Sequence, residues 1–70
     1  MNIELKNEIR RQLPAGSIAI IAQKINKSRG HVSLVFRSSK YNDEEVIDEA
    51  MNIIDKIKTR EKAIKEKLKQ

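Results

Sequence analysis

The stretch AQKINKSRGHVSLVF, Ala22 to Phe36, decides the fold. Apolar residues fall at Ala22, Ile25, Val32, Val35 and Phe36, basic ones at Lys24, Lys27 and Arg29, and Asn26-Lys27-Ser28 interrupts the apolar spacing. Before the break, Ile18, Ile21, Ala22 and Ile25 follow the i, i+3, i+4, i+7 rhythm of one helix face. After it, Val32, Val35 and Phe36 mark the inner face of a second helix, expected from Arg29 to Arg37. Asn tolerates the left-handed conformation better than other non-glycine residues, so Asn26 can end the first helix sharply. Ser28 suits the N-cap of the second. Helices that cross at so short a turn need a small side chain where the backbones approach, and Ala22 supplies it. Val32 and Val35 then pack the second helix across the first, and its N-terminal residues project outward. That pattern is a helix-turn-helix.

Working outward, a helix is expected from Ile3 to Leu13. Leu5, Ile9 and Leu13 recur every four residues toward the core, and Lys6, Glu8, Arg10 and Arg11 face water. Pro14 ends it, because the residue before a proline is pushed out of the α region. Ala15-Gly16 makes a turn, and Ser17 is the expected cap of a helix from Ile18 to Ile25. Ile20 lies off the apolar face and is expected on a neighbouring helix. Ser38 to Tyr41 reads as a loop. Asn42 with Glu45 has capping-box spacing, and Asp43, Glu44 and Glu45 suit the positive end of a helix dipole. A long helix from Asp43 to Leu68 follows, apolar at first and then thinly so through TREKAIKEKLKQ, which is expected to fray. The expected fold is all-α, a small bundle of four helices containing a helix-turn-helix, with a long last helix. Residues 1–57 form the domain and 58–70 a charged helical extension.

Size and charge narrow the function. Seventy residues make one small domain, whose core supplies about 3–5 kcal/mol of net stability. The chain has no cysteine, which excludes disulfides and thiolate zinc sites, and its single histidine excludes a multi-histidine metal site. The longest apolar run, Ile18 to Ala22, falls far short of the roughly 20 residues a membrane span needs. A cytoplasmic location, in a bacterium or its phage, is the default expectation. Net charge is +5 and pI ≈ 9.8. Residues 1–40 carry eight Lys/Arg against two Asp/Glu, and no acid occurs between Glu8 and Asp43. Residues 41–70 are balanced, with seven against eight. A solvated surface explains a net charge but not an acid-free run of that length, which suits a polyanion.

From Ser17 to about Ile57 the sequence resembles the DNA-binding domain of lambda-repressor-like proteins, including phage repressor and Cro types. The residues carrying the resemblance are Ile21-Ala22, Asn26, Ser28, Val32-Ser33 and Val35-Phe36. Tyr41-Asn42-Asp43-Glu44-Glu45, leading into Val46, Ala50 and Ile54, is similar to the lac-repressor headpiece. Three positions depart from the pattern. Asn26 stands where glycine is usual. Lys27 stands where a small apolar residue is usual, so its side chain is expected to turn outward. Ile18 stands where phage repressors place a polar contact to the DNA backbone. The lac-type hinge and sugar-binding domain are missing, so no small-molecule ligand is expected.

The resemblance implies a recognition helix in the major groove of double-stranded DNA. The base contacts expected are Arg29, Gly30, His31, Ser33 and Leu34, with Arg29 able to pair bidentately with guanine. Expected phosphate contacts are Ser17, Lys24, Lys27, Ser28, Arg37 and Lys40. For each, ordinary solvation is the competing reading. Gly30 costs about 0.5–1 kcal/mol of helix propensity and so asks for a reason. In the last helix, Ile47, Ile54, Ile57, Ile64 and Leu68 fall on a coiled-coil spacing together with Ala50, broken at Glu61. Either the first of these close the core and the tail is idle, or the surplus apolar face pairs with a second copy. A homodimer on a palindromic operator is expected, and a repressor-like regulator is the leading function. The alternative is a helix-turn-helix adaptor whose charged face binds an acidic protein. No nucleophile–base pair or phosphate loop suggests an enzyme, and no cofactor is expected.

Overall fold

The computed structural model describes residues 1–69. It contains four helices and no strand: α1 (Ile3–Gln12), α2 (Ser17–Ile25), α3 (Arg29–Arg37) and α4 (Glu44–Leu68). Asn2 caps α1 by accepting the Leu5 amide at 2.8 Å. Pro14 stops the helix as expected, and Leu13 already has extended dihedrals. Gly16, at φ 84° and ψ −3°, has the conformation of the third residue of a type II turn, which glycine adopts without steric cost. It also occupies the N-cap position of α2, where Ser17 was expected. Ser17 is instead the first helical residue, with its hydroxyl donating to the Pro14 carbonyl at 2.7 Å.

The joint between α2 and α3 follows the sequence closely. Asn26 is the one non-glycine residue with positive φ among those described, at φ 58° and ψ 46°. The Lys27 amide donates to Ala22 O at 2.9 Å and the Asn26 amide to Gln23 O at 3.3 Å, which together form a Schellman motif. Ser28 then caps α3 through the His31 amide at 3.1 Å.

Ile21, Ala22, Val32, Val35, Phe36, Val46 and Ala50 make the core, flanked by Ile9, Leu13, Ile18, Ile25, Ile47 and Ile53. The helices contact in a ring, α1 on α3, α3 on α2, α2 on α4 and α4 on α1, so α3 and α4 lie across the bundle from each other. Five expectations need correction here. Leu5, expected toward the core, and Ile20, expected on a neighbouring helix, are both exposed, each 54% accessible. Lys6, expected in water, is fully buried. The cap of α4 is Asp43, not Asn42; its carboxylate accepts the Glu45 amide at 3.0 Å. The tail, expected to fray, is helical in the structure: α4 is continuous through Leu68, although every residue from Lys58 to Lys69 is exposed. Of the expected extension 58–70, residue 70 lies outside the described residues. Among the described residues, no helix is long and apolar enough to cross a membrane.

Candidate nucleic-acid interface

The two sides of α3 differ sharply. Val32, Val35 and Phe36 are wholly buried, whereas Arg29, Gly30, Leu34 and Arg37 are exposed and Ser33 is half-buried. At 3.6 residues per turn, these last five share one arc of the helix. None makes an ion pair or a side-chain hydrogen bond among the described residues. Leu34 is 38% accessible and lies outside the core cluster and the residues that flank it. A Cβ added to Gly30 would meet only the Ser28 hydroxyl, 3.9 Å away. Nothing inside the chain therefore requires glycine at this position.

His31 is not on that arc. It is half-buried, with Nε2 2.7 Å from Asp43 Oδ2 and Nδ1 3.5 Å from the Tyr41 hydroxyl, and its ring meets Tyr41 edge-on. An ionised carboxylate only accepts, so Nε2 carries the proton. The expected base contact at His31 is thus replaced by a tie between α3 and the start of α4. One helical step separates its position from the outward arc, which is why spacing alone misplaced it.

Lys27 joins the same cluster. Its ammonium lies 2.6 Å from Asp43 Oδ2 and 3.7 Å from Glu45 Oε1, so it turns to the N-terminus of α4 rather than outward to phosphate. The hydrogen bond from Lys27, then that from His31, holds the Asp43 carboxyl down at about 2, below its ordinary 3.8. The Lys27 pKa is raised in turn, chiefly by its hydrogen bond to Asp43. Lys24 is more loosely paired, 3.5 Å from Glu49. Ser17 is 2% accessible and turned inward onto Pro14, so its hydroxyl does not offer the expected phosphate contact. Ser28 is exposed but serves its own helix as cap. Arg37 and Lys40 are exposed and carry no ion pair among the described residues.

No family model, curated protein or solved structure matches the chain.

Behind α3 lies a polar clasp that sequence reasoning missed. The Lys6 ammonium donates to the Ser38 carbonyl at 2.5 Å and to the Tyr41 carbonyl at 2.9 Å. These oxygens belong to the loop after α3, which has no ladder of its own to satisfy them. A buried amine with several donors can serve two carbonyls at once. One signal in the sequence could have revealed this: Lys6 falls three residues before Ile9 and so shares its inward face.

The expected pairing residues divide. Ile54 is 3% accessible and belongs to the chain's own core, so it cannot also serve a partner. Ile47 is partly buried against that core and Ile57 is half-buried. Ile64 and Leu68 are exposed, Leu68 at 80%.

Proposed function

We propose that the chain is a sequence-specific double-stranded-DNA-binding regulator of repressor type, which inserts α3 into the major groove and acts as a homodimer on a palindromic site. The observation that carries this reading is the outward arc of α3: Arg29, Gly30, Ser33, Leu34 and Arg37, free of internal partners while the opposite side fills the core. In the groove, Arg29 pairs with guanine, Ser33 reaches a base or phosphate, and Leu34 meets a thymine methyl. Arg37, Lys40 and the loosely paired Lys24 clamp phosphates, with the Ser28 end of α3 beside the backbone. Gly30 supports the reading because its missing side chain serves nothing within the chain, whereas close approach to a groove wall would use the space. A dimer with α3 helices about 34 Å apart would span successive major grooves.

Selection of bound duplexes from a random pool tests this directly. A palindromic consensus is expected. Binding of all duplexes alike would overturn the reading in favour of nonspecific nucleic-acid binding, and binding of none in favour of an acidic protein partner. Two variants refine the test. Arg29→Ala should flatten preference at one position of each half-site, worth about 1–3 kcal/mol. Gly30→Ala should raise thermal stability, by about 0.5–1 kcal/mol, while lowering affinity for the selected site. Stability and affinity moving together would remove Gly30 from the interface.

A further inference from the structure

The charge along α4 is sorted by position. Between Asp43 and Asp55 there are six acids and no base; from Lys56 to Lys69 there are seven bases and two acids. The sorting is sharpest on one exposed stripe. Glu44, Asp48, Met51, Asp55, Lys58, Lys62, Lys65 and Lys69 follow one another at alternating steps of four and three, and all eight are exposed. Their seven charges have no ion-pair partner among the described residues. The acids used internally, Asp43, Glu45 and Glu49, lie off this stripe.

Such a stripe is complementary to itself when reversed. Met51 on the stripe and Ile47 beside it leave apolar surface at the acidic end, and Leu68 beside it does so at the basic end. We infer that two copies of the chain pair through α4 in antiparallel orientation, with Leu68 of each over the Ile47–Met51 patch of the other and Lys65 and Lys69 beside the other's Glu44 and Asp48. Lys58 and Lys62 then lie beside Asp55, near the two-fold axis. A parallel pair would set acid on acid and lysine on lysine along the whole helix, which opposes association. The apolar seam first suggested by the coiled-coil spacing cannot form over the length of α4, because Ala50 and Ile54 are already inside the core.

The lysines could instead follow DNA phosphates. Two observations favour a second copy. The lysine stripe continues an acidic one that nucleic acid would repel, and the bundle places α4 across from α3. The inference rests on the homodimer clause of the proposed function but not on its DNA clause.

The chain lacks cysteine, so introduced thiols report cleanly. Met51→Cys and Lys65→Cys proteins, both altered at exposed sites, are mixed without DNA and treated with a short bis-maleimide. The expected product joins position 51 to position 65, in excess over 51–51 and 65–65. Dominant 51–51 and 65–65 products would overturn the antiparallel arrangement and leave the dimer standing. No product, with a monomer mass for the unaltered chain by light scattering, would overturn both, while duplex selection still decides DNA binding separately. A triple variant, Glu44→Lys, Asp48→Lys and Asp55→Lys, should weaken self-association by roughly tenfold or more. A partner carrying Lys58→Glu, Lys62→Glu, Lys65→Glu and Lys69→Glu should restore it. If that lysine variant instead pairs normally and only loses affinity for every duplex alike, the stripe belongs to phosphate and the inference fails.

Discussion

The two joints on either side of α3 are held by different forces. Between α2 and α3, the chain turns on Asn26, and apolar contacts among Ile21, Ala22, Val32 and Val35 hold the crossing. Between α3 and α4, six residues without regular structure are held by polar groups. Lys6 binds two carbonyls from one side, and Asp43 gathers Lys27, His31 and the Glu45 amide on the other. The first joint sets how α3 leans on α2; the second ties the far end of α3 to α1 through Lys6 and its first turn to the start of α4 through His31. Burial of apolar surface is proportional to area and tolerant of detail. A buried ammonium is neither, since removing one partner leaves the other unsatisfied.

The largest expected effect comes from the apolar side. Phe36 is wholly buried beneath α3. Phe36→Ala should cost about 3–5 kcal/mol, comparable to the whole stability of so small a domain. Loss of the helical circular dichroism signal at room temperature would show this. A cooperative melt close to that of the unaltered chain would mean that the core tolerates a void there.

Lys6→Met comes next and probes the polar joint. It keeps the buried methylenes but strips the Ser38 and Tyr41 carbonyls of their donor. A cost of about 1–3 kcal/mol is expected in urea denaturation, with faster hydrogen exchange in residues 38–43. Unchanged exchange there would show that the loop holds itself.

The two joints also differ in how far the sequence disclosed them. The apolar spacing from Ile18 to Phe36, with Asn26 and Ser28 at the break, was enough to locate α2, the turn and α3 to the residue or nearly so. Helical periodicity is a property of many residues at once, so one exception does not hide it. The polar joint depends on single residues that a residue-type rule assigns to water. Lys6, Lys27 and His31 all read as solvated surface, and all three are bound by oxygens distant in the chain, Lys6 and His31 drawn inward and Lys27 still exposed. The candidate interface was legible in the same proportion. The outward arc of α3 followed from the apolar face opposite it, whereas His31, Lys27 and Ser17 were lost to partners that only the fold supplies. Ile54 was lost from the pairing face for the complementary reason, since one apolar row can be buried only once.

Asp43→Asn separates charge from capping at the polar joint, because asparagine caps a helix about as well as aspartate. Its expected cost near neutral pH is about 1 kcal/mol, small because Lys27 remains accessible to solvent. The pH dependence is more telling. The carboxyl titrates lower in the folded chain than in the unfolded one, so folding favours its ionised form. Its contribution is complete above about pH 4. It is lost as pH falls from the ordinary value of 3.8 through about 2. The unaltered chain should therefore lose more stability across that window than the Asn variant. Parallel curves for the two would show that Asp43 is a cap and nothing more.

The smallest effect is expected at the apolar joint's own turn. Asn26 already sits in the left-handed region, and glycine reaches it with even less strain. Glycine also gives up more freedom on folding, so the two changes oppose each other. Asn26→Gly should shift stability by no more than about 0.5 kcal/mol in either direction. Asn26→Ala, which has no local side-chain hydrogen bond to offset the strain, should cost about 1 kcal/mol. The comparison asks what the turn needs from its residue. If Gly proves as costly as Ala, the turn needs the asparagine side chain itself. The first joint would then depend on a specific polar group, as the second does.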